Sequence, residues 1–173
     1  MRHKALLVID PQNDYFPDGK FPLWNTTKIL ENMKKAIKLA TINNIQIIHI
    51  QHVADPSKGI APFFNEHSDG VKIHPAIVKI TATPEIIIKR FADAFEQTDL
   101  ANVLKENNIE ELLLCGMMTQ NCVTHTAISK AADNYKISVL SDCCTSVSEM
   151  IHKIALNALS TRVSLISTEQ MLD

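Results

Sequence analysis

Six short aliphatic runs constrain this chain more than any other feature: Ala5–Ile9, Ile45–Ile50, Glu85–Lys89, Leu112–Cys115, Ile137–Leu140 and Val163–Ile166. Each has the length of a strand and lacks the alternation of a half-exposed one, so each reads as a strand buried on both faces. Between them lie segments with helical periodicity: Thr27–Ile42 (Ile29, Leu30, Met33, Ile37, Leu39), Leu100–Glu106, Asn121–Asn134 and Ser148–Leu159. This alternation predicts a doubly wound α/β three-layer sandwich, with a mostly parallel six-stranded sheet covered by helices on both faces. A length of 173 residues suits one domain, 1–173, with a full core and nothing to spare for a second.

Capping residues fit these helices. Asn25, Thr26 or Thr27 suits the first, Thr98 or Asp99 the next, and Ser146 with Glu149 reads as a capping box before the last. The connection from Gln51 to Thr83 carries Pro56, Gly59, Pro62, Gly70 and Pro75, and a loop of that length in a compact fold is often functional.

Composition excludes several function classes. The net charge is -2 and the basic residues are scattered, so no nucleic-acid partner is implied. A hydrophobic fraction of 46% with 21% charged residues is that of a soluble globular chain. The start MRHKALLVID does not read as a signal peptide, and no run approaches the roughly 20 apolar residues of a membrane span. Cys115, Cys122, Cys143 and Cys144 have neither the spacing of a zinc site nor the density of a disulfide scaffold, so a reducing cytoplasm is the expected location.

In doubly wound sheets ligands bind beyond the carboxyl ends of the strands. The residues there are Asp10 after ALLVI, Lys89 after EIII, and Cys122 in the turn after LLLCG. A thiol with an ordinary pKa of about 8.5 is mostly protonated at neutral pH, and a nearby cation and a helix N-terminus both favour the thiolate. Lys89 and the helix starting at Asn121 supply both, and Asp10 is the candidate base that takes the thiol proton and returns it to a leaving nitrogen. Singly, each has a plainer reading: a turn aspartate before Pro11, a surface lysine, a small buried cysteine.

The stretches LLVIDPQNDYF, IIIKRFADAFEQTDL and LLLCGMMTQNCV resemble, in order and spacing, the three motifs of the isochorismatase-like cysteine hydrolases, a family that includes nicotinamidases and N-carbamoylsarcosine amidase. The resemblance implies a doubly wound fold and an Asp-Lys-Cys triad, here Asp10, Lys89 and Cys122. It also implies a cis peptide between Met117 and Met118, with the N–H groups of Met118 and Cys122 forming an oxyanion hole. No cofactor is implied. Members are commonly homodimers or homotetramers, and that assembly is expected here.

Three departures refine the expectation. True isochorismatases split a vinyl ether without needing the cysteine, so Cys122 favours C–N cleavage of a small amide, ureide or carbamoyl compound through a thioester. Vinyl-ether hydrolysis with Asp10 as the acid, and a non-catalytic binding protein on the same fold, are the alternatives. Nicotinamidases hold a metal with an Asp-x-His pair and a further histidine. Here that region carries His49, His52 and His67 without the pair, so no metal is expected. Where relatives have Ser-Ala-Phe this chain has Asp93-Ala94-Phe95, and Asp93 either acts on a substrate charge or faces solvent. Phe16, Trp24, Phe63, Phe64 and Thr119 are the candidate substrate-binding residues, because they follow strand ends where apolar walls would exclude water from a thioester. Gln12 is a further polar candidate for orienting a substrate.

Overall fold

A computed structural model describes residues 3–172. In chain order its elements are β1 (Lys4–Ile9), α1 (Thr26–Ile42), β2 (Gln46–His52), α2 (Pro75–Val78), β3 (Glu85–Lys89), α3 (Leu100–Glu106), β4 (Glu111–Met117), α4 (Thr124–Ala127), β5 (Lys136–Thr145), α5 (Glu149–Leu159) and β6 (Ser164–Ile166). The six strands form one sheet in the order β3-β2-β1-β4-β5-β6, every neighbouring pair parallel. This is the doubly wound α/β sheet expected. The order reverses between β1 and β4, where such sheets open a crevice at their carboxyl ends.

Strand alternation divides the core in two. Leu6, Val8, Leu113 and Cys115 point toward α1, while Ala5, Leu7, Ile9, Leu112 and Leu114 point toward α3. Helix α1 forms because Ile29, Met33, Ala36, Ile37 and Ala40 recur at helical spacing and are buried on one face. Burying Ile29, Met33 and Ile37 contributes roughly 5–9 kcal/mol before chain entropy is counted. The helix ends at Asn44, which takes a left-handed conformation (φ 55) while the Ile45 N–H donates to the Ala40 carbonyl.

Four details differ from the sequence reading. Strand β3 lies at the sheet edge, so Ile86 and Ile88 are exposed although the run is continuously aliphatic. Strand β5 continues to Thr145, which puts Cys143 and Cys144 inside it rather than beyond it. The segment Asn121–Asn134 is not one helix. A wide turn over Thr119–Val123, in which the Val123 N–H reaches back to the Met118 carbonyl (3.3 Å), leads into the single turn of α4 and then a tight turn at Lys130–Asn134. Thr119, Asn121, Val123, Thr124 and Thr126 are weak helix formers, which suits such a break. Finally, Ser148 rather than Ser146 caps α5, accepting from the Ile151 N–H (3.3 Å), while the Ser146 hydroxyl donates to Gln120 Oε1 (2.6 Å).

No described helix is long and apolar enough to cross a membrane.

Candidate active site

Asp10, Lys89 and Cys122 converge at the carboxyl ends of the strands, all nearly inaccessible to solvent. Asp10 ends β1 in a left-handed conformation (φ 49), a conformation aspartate tolerates better than most residues but still at some cost. Lys89 ends β3, two strands from β1, a gap of roughly 10 Å at ordinary strand spacing. Its long flexible stem crosses the end of β2 and brings Nζ to 3.0 Å from Asp10 Oδ2 and 3.1 Å from Cys122 Sγ. Cys122 sits in the wide turn after β4. Beneath it, Gly116 (φ 128) lets β4 lie against β1: a Cβ there would stand 2.0 Å from the Ile9 carbonyl oxygen. The Met117–Met118 peptide bond is cis.

The ammonium has two further neighbours, His52 Nδ1 at 3.0 Å and the Phe91 carbonyl at 3.0 Å. Its three well-directed hydrogen bonds go to His52, Phe91 and Cys122. Asp10 is in ion contact at 3.0 Å, but off the hydrogen-bond direction, so neither carboxylate oxygen has a well-directed donor.

Burial, with the Asp10 carboxylate adding to it, holds the Cys122 thiol well above the ordinary range against the opposing pull of Lys89. A helix N-terminus contributes little, since α4 is a single turn. Burial and the carboxylate thus favour the protonated thiol, whereas Lys89 favours the thiolate that the sequence suggested. Burial alone would lower Lys89, but Asp10 and Cys122 more than offset it, so the lysine is raised and stays charged. His52 is pushed down to about 4, by burial first and then by the Lys89 charge, and is a neutral imidazole at neutral pH. Asp10, His52 and Cys122 are the one group of described residues with metal-ligand spacing, and the cation lying among them is the lysine ammonium itself.

The remaining expected site residues have distinct places. Phe64 is buried and packs edge-on against Tyr15 (4.5 Å between centroids), with half-buried Phe63 joining the same aromatic cluster. The Phe64 N–H donates to Asp14 Oδ2 (2.8 Å), a buried carboxylate whose other oxygen accepts from the Lys20 N–H (3.2 Å). Phe64 also lies 6.0 Å from His52, which brings it to the candidate site. Phe16 packs against His74 with the rings tilted by 45° (4.4 Å between centroids), and Trp24 lies beside His152 (5.9 Å). Thr119 is buried, its hydroxyl donating to the Thr145 carbonyl (2.9 Å) and paired with His152 Nδ1 (2.9 Å), which occupies it within the protein. Gln12 is committed in the same way: its amide binds both the N–H and the carbonyl of His52 (2.8 and 2.7 Å) and the Val71 carbonyl (2.7 Å).

Half-buried Asp93 accepts from the Phe95 N–H (2.9 Å) in a local turn. His49 is buried with Nε2 at 3.1 Å from the Thr81 hydroxyl, while His67 is exposed. Sequence reasoning missed the contacts that His52 and the Phe91 carbonyl make with the lysine. The pairing of His52 with Lys89 across β2 and β3 was the signal available, once the strand order was known. A groove of about 1130 Å³ opens at the opposite, amino end of the strands, but Lys4 and Lys136 there both face Glu111 and no cysteine borders it.

Residues 4–170 match the isochorismatase domain. The isochorismatase family protein YddQ of Bacillus subtilis is 36% identical over 147 residues, 85% of this chain and 80% of that protein. The solved isochorismatase-like hydrolase from Alkaliphilus metalliredigens superposes with a TM-score of 0.87 at 27% identity, covering 96% of this chain and 95% of the other. A pyrazinamidase/nicotinamidase from Streptococcus mutans gives a TM-score of 0.84 at 26% identity, covering 94% of this chain and 99% of its own.

Proposed function

The chain belongs to the isochorismatase family of hydrolases, and on that premise we propose that it is a cysteine amidohydrolase cleaving a C–N bond of a small amide, ureide or carbamoyl compound. The observation that carries this reading is the meeting of three side chains from distant segments, with Lys89 Nζ within 3.1 Å of both Asp10 and Cys122. One structural relative carries an amidase name, which points the same way.

In this reading the Cys122 thiol gives its proton to Asp10 as sulfur attacks the substrate carbonyl carbon, and the oxyanion forms against the N–H groups of Met118 and Cys122. Asp10 then passes the proton to the leaving nitrogen as the C–N bond breaks. Water attacks the thioester, with Asp10 again taking a proton, and the thiol is restored. Lys89 stays charged throughout and stabilises whichever of sulfur and carboxylate is the anion. Phe16, Trp24, Phe63 and Phe64 would form the apolar walls, whereas Thr119 acts through the turn it anchors rather than on the substrate. A homodimer or homotetramer is part of this proposal, supported by the exposed Met150, Ile151 and Ile154 on α5.

The test is a screen for ammonia release from small amides, ureides and carbamoyl compounds with wild type and Cys122→Ala. Turnover lost in the variant is the expected result. Turnover unchanged in Cys122→Ala, or pyruvate released from isochorismate by both proteins, would sink the amidohydrolase reading.

A further inference from the structure

We propose that His52 is a positioning residue for this site: with the Phe91 carbonyl it takes up two of the three ammonium protons of Lys89, so that the third points at Cys122 Sγ and Asp10 is left free to receive the thiol proton. The inference rests on the cysteine-hydrolase reading above and extends it to a residue outside the triad.

The argument is a count of donors. An ammonium carries three protons and accepts none. Lys89 has four acceptors within 3.1 Å, namely His52 Nδ1, the Phe91 carbonyl, Cys122 Sγ and Asp10 Oδ2. The well-directed bonds go to the first three, and the carboxylate is left with charge attraction but no directed donor. A buried carboxylate without a directed donor is costly. The same geometry makes sense in a base, because the oxygen that must take a proton from sulfur is not already occupied by one from nitrogen. When the proton moves from Cys122 to Asp10, the carboxyl becomes neutral and the sulfur becomes the anion, and the lysine proton already aimed at sulfur is in place to meet it. No reorientation of the ammonium is needed.

His52 is held for this role. The Gln12 amide clamps both its N–H and its carbonyl, in the manner of a neighbouring strand, and β2 pairs His52 directly with Lys89. A neutral ring that accepts at Nδ1 carries its proton at Nε2. Burial keeps the ring neutral well below physiological pH, so the acceptor persists across the working range.

Replacing His52 by a residue without an acceptor frees one ammonium proton, and its nearest partner is Asp10 Oδ2 at 3.0 Å. That bond ties the carboxylate down as an anion and weakens it as the acceptor of the thiol proton. In asparagine, Oδ1 falls close to where Nδ1 sits, so His52→Asn preserves the acceptor and His52→Leu removes it.

The experiment follows alkylation of Cys122 by iodoacetamide against pH, read by mass spectrometry, in wild type, His52→Leu, His52→Asn and Lys89→Met. His52→Leu is expected to slow Cys122 alkylation about tenfold at pH 7.5, equivalent to a rise of about one unit in the midpoint, with His52→Asn restoring most of it. If His52→Leu does not fold, His52→Ala, which likewise has no side-chain acceptor, takes its place in the comparison with asparagine. Identical profiles for wild type and the folded acceptor-less variant overturn the proposal, as does an asparagine variant as slow as leucine. A profile that responds to Lys89→Met but not to His52 refutes this inference alone. Cys122 reacting no faster than Cys115, and indifferent to Lys89→Met, removes the hydrolase reading and this one with it.

Discussion

Lys89→Met isolates the one ion pair among the described residues whose two side chains are both fully buried. The Lys89 and Asp10 side chains are both fully inaccessible, 3.0 Å apart. Removing one partner of such a pair strands the other charge in a poorly solvating interior and costs about 3–5 kcal/mol. At roughly 2–4 °C per kcal/mol for a chain of this length, the melting temperature should fall by about 6–20 °C. The pair Lys153–Glu149 is closer, at 2.7 Å, but exposed on α5, and Lys153→Met should leave the melting temperature nearly unchanged. Burial, not distance, separates the two cases. Replacing both buried charges, as Asp10→Asn with Lys89→Met, should recover roughly half of the single-variant loss, because no uncompensated ion remains. Thermal unfolding at pH 7.5 compares wild type, Lys89→Met, Asp10→Asn, the double variant and Lys153→Met, and salt should change the buried pair little. A Lys89→Met protein melting within about 2 °C of wild type, or a double variant worse than the sum of its singles, would refute this account. The sign with pH follows from the raised lysine: its contribution is complete below the ordinary lysine value near 10.5 and is lost as pH rises through the higher folded value.

Three further outcomes are expected. His49 and His52 are both held near 4 by burial, so stability present above pH 6.5 should fall progressively as pH drops toward 4, by about 3 kcal/mol for each ring, and His49→Leu should roughly halve that slope in urea midpoints measured against pH. Gly116→Ala should lose roughly 2–5 kcal/mol by urea unfolding, from the strained φ of 128 together with a Cβ driven onto the Ile9 carbonyl; a wild-type midpoint would contradict the close approach of β1 and β4. Asp14→Ala strands the buried Phe64 N–H, at about 1–3 kcal/mol, while the N–H of exposed Lys20 can turn to water, and hydrogen exchange should show the Phe64 amide losing protection while β4 amides keep theirs.

The strands were legible because two-sided burial writes itself as uninterrupted aliphatic runs, and Asp10, Lys89 and Cys122 were legible because each stands just past one. What the sequence did not disclose depends on relations between segments. Ile86 and Ile88 look as buried as Leu113 until the strand order places β3 at an edge. Gln12 and Thr119 read as free polar groups near a crevice, yet both are spent on distant backbone that only the folded chain brings near. Ser146 and Ser148 are equally good caps by composition, and the length of β5 decides between them. The His52 contact has no local signature at all, since it needs β2 and β3 in register and the Lys89 stem laid across the end of β2.

The buried polar atoms indicate where the fold gives up stability. Among the described residues, three buried side-chain polar atoms lack a hydrogen-bond partner: the two oxygens of Asp10 and Nδ1 of His49. Asp10 also carries a left-handed backbone beside Pro11, although a residue before proline prefers extended conformations. Two independent costs at one residue are hard to explain by packing, because an asparagine or glycine would relieve one or the other. They are explained if the carboxylate must be charged, close to Lys89 and without a directed donor. His49 has no comparable setting: it lies mid-strand in an aliphatic surround, with Thr81 as its one partner. The orphaned atom of His49 should therefore be removable at little cost to activity, while Asp10→Asn should abolish turnover even in a protein that remains folded.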